Sequence, residues 1–136
     1  MKKQELLNFI NRYHLAGATT SVKWTAKGGT LETKFITDDQ NVIGSITANN
    51  LDLGDHELGV YATPGLVKML TAVGDDIKVD VNAIDGTSVS IDMSDNDVNM
   101  KFMLADLSVI RQVPDLKQLP DWDVTIEVTK EFINKF

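Results

Sequence analysis

The chain is 136 residues long, 43% hydrophobic and 24% charged, a composition that suits one globular domain, or one domain and part of a second, and excludes a disordered or collagen-like polypeptide. It contains no cysteine, so a disulfide framework, a thiol nucleophile and cysteine-held zinc or iron–sulfur centres are excluded as well. Its 13 basic and 20 acidic residues give a net charge of −7, which argues against general nucleic-acid binding.

That charge is uneven. Residues 1–35 hold six basic groups (Lys2, Lys3, Arg12, Lys23, Lys27, Lys34) against two acids, whereas residues 36–121 hold five basic groups against fifteen acids. An acidic body with a basic first third is either a chance distribution or the mark of one face kept for polyanions. Lys2 and Lys3 lead into an amphipathic stretch rather than a signal-peptide core, and no apolar run reaches the ~18 residues that span a bilayer. The chain reads as soluble and intracellular.

In chain order, Lys3 to His14 has helical period. Leu6, Phe9, Ile10 and Tyr13 share one face, and Gln4, Asn8, Asn11 and Arg12 the other, with Gly17 as the expected stop. The period then changes to two. Ser21–Ala26, Thr30–Thr37 and Asn41–Ala48 read as strands, separated by Gly28-Gly29 and by Asp38-Asp39-Gln40. Glu57–Ala62 reads as a short strand. Thr63-Pro64 is then expected to open a helix, with Thr63 as capping hydroxyl, an apolar face of Leu66, Met69, Leu70 and Val73, and Gly74 as its end.

A meander follows. Ile77–Ala83 and Val89–Met93 are joined by an Asp85-Gly86 hairpin turn, and Val98–Leu104 completes it. Residues 105–121 contain Pro114 and Pro120 and no clean period, so they read as an extended connection. Trp122–Val128 alternates again, and Thr129 caps a helix that begins with Phe132, Ile133 and Phe136. The order of elements repeats a βαβββ unit: once without its leading strand, once whole, and once broken off after the helix. Glu5-Leu6-Leu7-Asn8 also resembles Glu131-Phe132-Ile133-Asn134. A two-turn helix wants more length and something to pack on, so Phe136 reads as a truncated end. The fold class expected is α+β.

Sites for chemistry are few. His14 and His56 stand far apart, without a partner pattern for a metal or a nucleophile–base pair. Asp92, Asp95 and Asp97 lack the central glycine and terminal glutamate of a calcium loop and read as a solvated turn. Asp75-Asp76 reads as a turn that resists strand pairing. Gly28-Gly29 precedes a strand, so it cradles no phosphate. No nucleophile, base and oxyanion donor assemble, so a non-catalytic protein without cofactor or metal is expected. What remains is surface. Lys2, Lys3, Arg12 and Lys68, with long polar neighbours on two helix faces, either touch phosphates without reading bases or form a solvated face. The apolar connection residues Val109, Ile110, Val113, Leu116 and Leu119 either strap the chain to a sheet or line a peptide groove.

Two further segments carry a resemblance. Tyr61-Ala62-Thr63-Pro64-Gly65-Leu66-Val67-Lys68-Met69-Leu70 is similar to the strand and inner helix of a sliding-clamp domain, and Asn99-Met100-Lys101-Phe102-Met103-Leu104-Ala105-Asp106-Leu107 to the strand that enters its interdomain connector. Over residues 37–136 the chain resembles the sliding clamps of DNA replication, most closely the T4-type phage clamp and more distantly the proliferating cell nuclear antigen.

The resemblance implies a clamp fold, with two βαβββ-type units and two helices on one face of antiparallel sheet. It places a first domain at 1–106, a connector at 107–121 and the opening strand and helix of a truncated second domain at 122–136. It implies a polymerase processivity factor in the host cytoplasm, a homotrimer when full-length, that encircles duplex DNA regardless of sequence and works with a replicative polymerase and a clamp loader; the chain as given, with its second domain cut short, is not expected to close that ring. Lys2, Lys3, Arg12 and Lys68 would then face DNA, and Val113, Leu116, Leu119 and Pro120 a partner peptide. A clamp-fold scaffold or accessory protein without a ring, and a small-ligand-binding α+β domain, are the rival readings.

Overall fold

Residues 1–114 and 123–135 are described by a computed structural model of the chain. In order, these residues form α1 (Lys3–His14), β1 (Val22–Lys27), β2 (Thr30–Ile36), β3 (Ile43–Asn49), β4 (His56–Val60), α2 (Thr63–Ala72), β5 (Lys78–Ile84), β6 (Thr87–Ser94), β7 (Asn99–Met103) and α3 (Lys130–Asn134). The fold is α+β, with two antiparallel sheets ordered β3-β2-β1-β4 and β5-β6-β7. No helix among the described residues is long and apolar enough to cross a membrane.

α1 forms because Leu6, Phe9, Ile10 and Tyr13 recur on one face, and all four are buried. Each such burial is worth about 1.5–3 kcal/mol. The helix ends at His14, as expected, and a 3₁₀ turn, Leu15–Gly17, carries the chain to Gly17. Leu15 takes a left-handed cap at φ 49° and returns its N–H to the Asn11 carbonyl. The turn is held from outside the helix: His14 Nδ1 donates to the Thr19 carbonyl at 2.6 Å, and the Thr19 N–H returns to the His14 carbonyl.

In the first sheet the two-residue period separates a core face from an outer face. Val22, Trp24 and Ala26 of β1 lie beside Leu31 and Thr33 of β2 and Leu58 and Val60 of β4, all buried. Lys23 and Thr25 point the other way, next to Lys34 and Glu32. At the β2–β3 pair, Phe35 lies across Gly44, where its ring fills the space a side chain would need. Trp24 meets Phe9 and Tyr13 edge-on, with ring centroids 5.5 and 6.4 Å apart.

α2 runs antiparallel to α1. Tyr13, near the end of α1, hydrogen-bonds Thr63 at the start of α2 (3.0 Å), while Lys3 at the start of α1 donates to the Val73 carbonyl just past the end of α2 (2.8 Å). The expected capping role of Thr63 is therefore corrected. Ala62 is the N-cap, without a side-chain cap bond, and the buried Thr63 hydroxyl is engaged by Tyr13. Leu66, Leu70 and Val73 are buried as expected, and Met69 is half-buried. Both helices and the inner faces of both sheets share one apolar core, to which the second sheet brings Ile91, Met93 and Phe102.

One further expectation changes. Residues 123–129 form no strand, and Val124, Ile126 and Val128 are exposed. Alternation sets which side chains would share a face, but among the described residues no ladder partner meets this segment. The turn expected at Asp95–Asp97 is present at the surface between β6 and β7, and Asp95 also accepts the backbone N–H groups of Gly74, Asp97 and Val98 at 2.6–2.7 Å, which ties this turn to the end of α2. Thr129 does cap α3, accepting the Phe132 N–H at 3.1 Å.

Candidate nucleic-acid and partner interfaces

The outward face of the helix pair is polar. α1 exposes Gln4, Asn8, Asn11 and Arg12, and α2 exposes Lys68 and Thr71. Gln4 donates to Asn8 at 2.9 Å, one turn apart. Arg12 and Lys68 thus project from neighbouring helices away from the core.

Lys2 and Lys3 are placed differently. Lys2 is the N-cap just before α1, bridged to Asp76 through the backbone and paired with its carboxylate. Their hydrogen bond and mutual charge raise the Lys2 pKa and lower that of Asp76. Both groups are exposed, so the pair fixes geometry more than it stabilises. Lys3 is half-buried, and its ammonium serves the C-terminal end of α2, where unpaired carbonyls favour a cation. Of the four cations expected at DNA, the structure thus brings Arg12 and Lys68 to the open helix face and ties Lys2 and Lys3 to the α2–β5 connection.

On the opposite side of the first sheet the connection after β7 crosses its outer face. The crossing begins where the Ala105 N–H donates to the Gly59 carbonyl at 2.8 Å. Gly59 sits mid-strand in β4 because the chain passes directly over it. A Cβ there would run into the Ala105 carbonyl oxygen and would lie 3.5 Å from Ile110 Cγ1. Asp106 accepts the Ser108 N–H at 2.8 Å and caps the short 3₁₀ turn Leu107–Val109, a bond that holds its carboxyl below the ordinary value. Ile110 then buries itself against the sheet, leaving 7% of its surface accessible.

Between this strap and the sheet lies a groove of about 420 Å³. Leu107, Ile110 and Val113 form its apolar wall, Lys23, Thr25, Glu32 and Lys34 its sheet wall, and Arg111 one rim. The size and the mix of apolar wall and convergent polar groups suit a bound ligand. Arg111 also reaches the Asp38 carbonyl at 3.4 Å, and Lys23 pairs with Glu57 at 3.3 Å. Val109 turns away toward a second, shallower apolar surface made by Tyr61, Ala62, Phe102, Met103, Leu104 and Ala105.

Of the four residues expected at a partner groove, Val113 lines it, while Leu116, Leu119 and Pro120 lie outside the described residues. Sequence reasoning missed Lys23, Lys34 and Arg111 as groove residues, and Gly59 as the seat of the strap. A glycine between Leu58 and Val60, in the middle of an apolar strand, was the available signal. Among the described residues no cluster of histidine, aspartate or glutamate has the arrangement to hold a metal ion. Compared with known proteins, the chain matches no family model and no curated protein sequence significantly.

Proposed function

We propose that the chain is a DNA sliding-clamp domain: a non-catalytic processivity factor in which helices face duplex DNA and the outer sheet receives replication partners. The observation that supports this reading most is the antiparallel pair α1–α2. Its apolar faces are buried on antiparallel sheet, while its polar faces, with Arg12 and Lys68, point outward. In this proposal the elements α1–β1–β2–β3 and β4–α2–β5–β6–β7 are two βαβββ-type units of the clamp fold, the first without its leading strand. Residues 107–121 are the connector and 122–136 the opening of a second domain. Six such domains, in a homotrimer of two-domain subunits, close the ring in the cytoplasm of a phage-infected host.

The physics of the reading is electrostatic. An acidic body repels DNA, so only a surface relieved of negative charge admits the duplex, and a topological link removes any need for tight binding. Weak phosphate contacts then let the ring slide without reading sequence. A replicative polymerase and a clamp loader dock on the outside, at the groove under the strap.

Retention on DNA tests the proposal. The assembled ring should stay on closed circular duplex and escape when the circle is cut. Replacing Lys2, Lys3, Arg12 and Lys68 by alanine should shorten retention equally on unrelated sequences, with Arg12 and Lys68 carrying most of the loss. Equal retention on circular and linear DNA would sink the reading. A second reading, a clamp-fold phage accessory or scaffold protein without a ring, is favoured by one observation: Lys2 and Lys3 are engaged by Asp76 and the Val73 carbonyl, which leaves the helix face thinly charged.

A further inference from the structure

We propose that two copies of this chain associate by exchanging strands: residues 123–127 of each copy add to the open edge of β5 in the other. β5 is an edge strand of the second sheet, and its outer side is covered only where it begins. Residues 1–3 lie antiparallel along residues 75–77. There the Ile77 N–H donates to the Met1 carbonyl at 2.9 Å, and the Met1 ammonium donates to the Ile77 carbonyl at 3.1 Å. Ile77 thus turns both backbone groups outward, and the two-residue period gives Val79 and Val81 the same direction. Among the described residues nothing pairs with them on that side. Burial changes at the same point. Ile77, beside Met1, keeps 4% of its surface accessible, whereas Val79 and Val81 are only half-buried against the core. Such an edge is a template for another strand.

The chain itself carries the matching strand. Val124, Ile126 and Val128 alternate with Asp123, Thr125 and Glu127, and the three apolar residues stay 62–72% exposed. One copy leaves the edge and the strand open together, so the partner that completes both is a second copy. Antiparallel pairing, the sense already set by residues 1–3, fixes the register. With Ile126 opposite Val79 and Val124 opposite Val81, the apolar face of the sheet is extended and the pairing stops before the bulge at Asn82–Ala83. The strand then turns away at Val128, level with Met1. In this register no acid comes opposite another acid. Glu127 faces Lys78, which already pairs with Asp80 at 3.2 Å, but both are exposed and the pair is weak enough to be shared. A shift of two residues toward the bulge would set Glu127 against Asp80. Reciprocal exchange closes under two-fold symmetry, which gives a dimer.

Sedimentation of the whole chain without DNA, combined with hydrogen exchange, tests the proposal. Raising the concentration should convert a monomer to a species of twice its mass, and protection should then appear at the Val79 and Val81 amides. Ile126→Asp removes the central apolar side chain at an exposed position, and an unchanged melting temperature at low concentration verifies the fold of that variant. A two-fold dimer carries the substitution twice, so the dimer should weaken about a hundredfold. A single mass at every concentration, a dimer whose Val79 and Val81 amides exchange as in the monomer, or an undiminished dimer in the variant would overturn the exchange. Protection of those amides in a monomer would overturn it too, because the segment would then have folded back on its own chain. None of these results bears on retention on circular DNA, so the exchange and the clamp reading stand or fall separately.

Discussion

Replacing Gly59 by alanine sets a methyl group against the Ala105 carbonyl oxygen, inside van der Waals contact, with the Ile110 side chain behind it. The β4 backbone is held by its ladder to β1, so the strap is the part that yields. A displacement of about 1 Å breaks the 2.8 Å bond from the Ala105 N–H to the Gly59 carbonyl, a loss of about 1 kcal/mol. It also partly uncovers Ile110, whose full burial is worth about 1.5–3 kcal/mol, so half of it gives about another 1 kcal/mol. Alanine restricts the unfolded chain and returns about 0.4–1 kcal/mol. The net is a destabilisation of about 1–2 kcal/mol, a fall of about 4–8 °C in melting temperature for a chain of this size. Thermal denaturation measures it, and hydrogen exchange at the Ala105 amide locates it. Gly65→Ala is the control: nothing lies within 4 Å of a Cβ there, so the same substitution in α2 should stabilise by about 0.5–1 kcal/mol. A Gly59→Ala protein that melts at or above the parent, with the Ala105 amide still protected, would refute the close-approach account.

Burial raises the Tyr13 pKa from its ordinary 10 to about 12. The neutral phenol therefore contributes stability that is complete below pH 10 and disappears as pH rises through about 12. Tyr13→Phe should flatten that alkaline fall while costing about 1–3 kcal/mol at neutral pH, because the Thr63 hydroxyl loses its partner; urea midpoints across the alkaline range check both effects. Asp95 has a lowered pKa, chiefly because the Asp97, Gly74 and Val98 N–H groups favour its charged form. Its contribution is present above the ordinary value of 3.8 and lost as pH falls through the lower folded value. Asp95→Asn should therefore be less stable than the parent at neutral pH and converge with it in acid, as read from denaturation midpoints at each pH.

Local pattern and tertiary context divide what could be read from the residues. α1 matches its expected span, Lys3–His14, because a 3.6-residue period over three turns is carried within the helix itself. Strands β1 to β7 lie within two residues of expectation at nearly every end, where turns such as Asp85-Gly86 punctuate them. The span 122–128 has equally good alternation and no strand among its described residues, since a strand exists only where another backbone accepts its hydrogen bonds. The sites show the same division. Arg12 and Lys68 are outward because helical period alone decides it. The fates of Lys2 and Lys3 depend on Asp76 and Val73, some seventy residues away. The groove joins β1, β2 and the strap, which no local pattern connects.

Strand β1 has one number parity for each of its two tasks. Its even positions, Val22, Trp24 and Ala26, are set in the core beside Phe9 and Tyr13, while its odd positions, Lys23 and Thr25, are set in the groove. Partner preference can therefore be rewritten by point substitution at 23 or 25 while the core remains intact. A one-residue insertion or deletion within the strand would exchange the parities, sending a lysine among the aromatic rings and a tryptophan out under the strap. The groove is thus open to substitution and closed to single-residue changes of length: variation in what docks there should accumulate as changed letters in β1, and not as a strand longer or shorter by one residue.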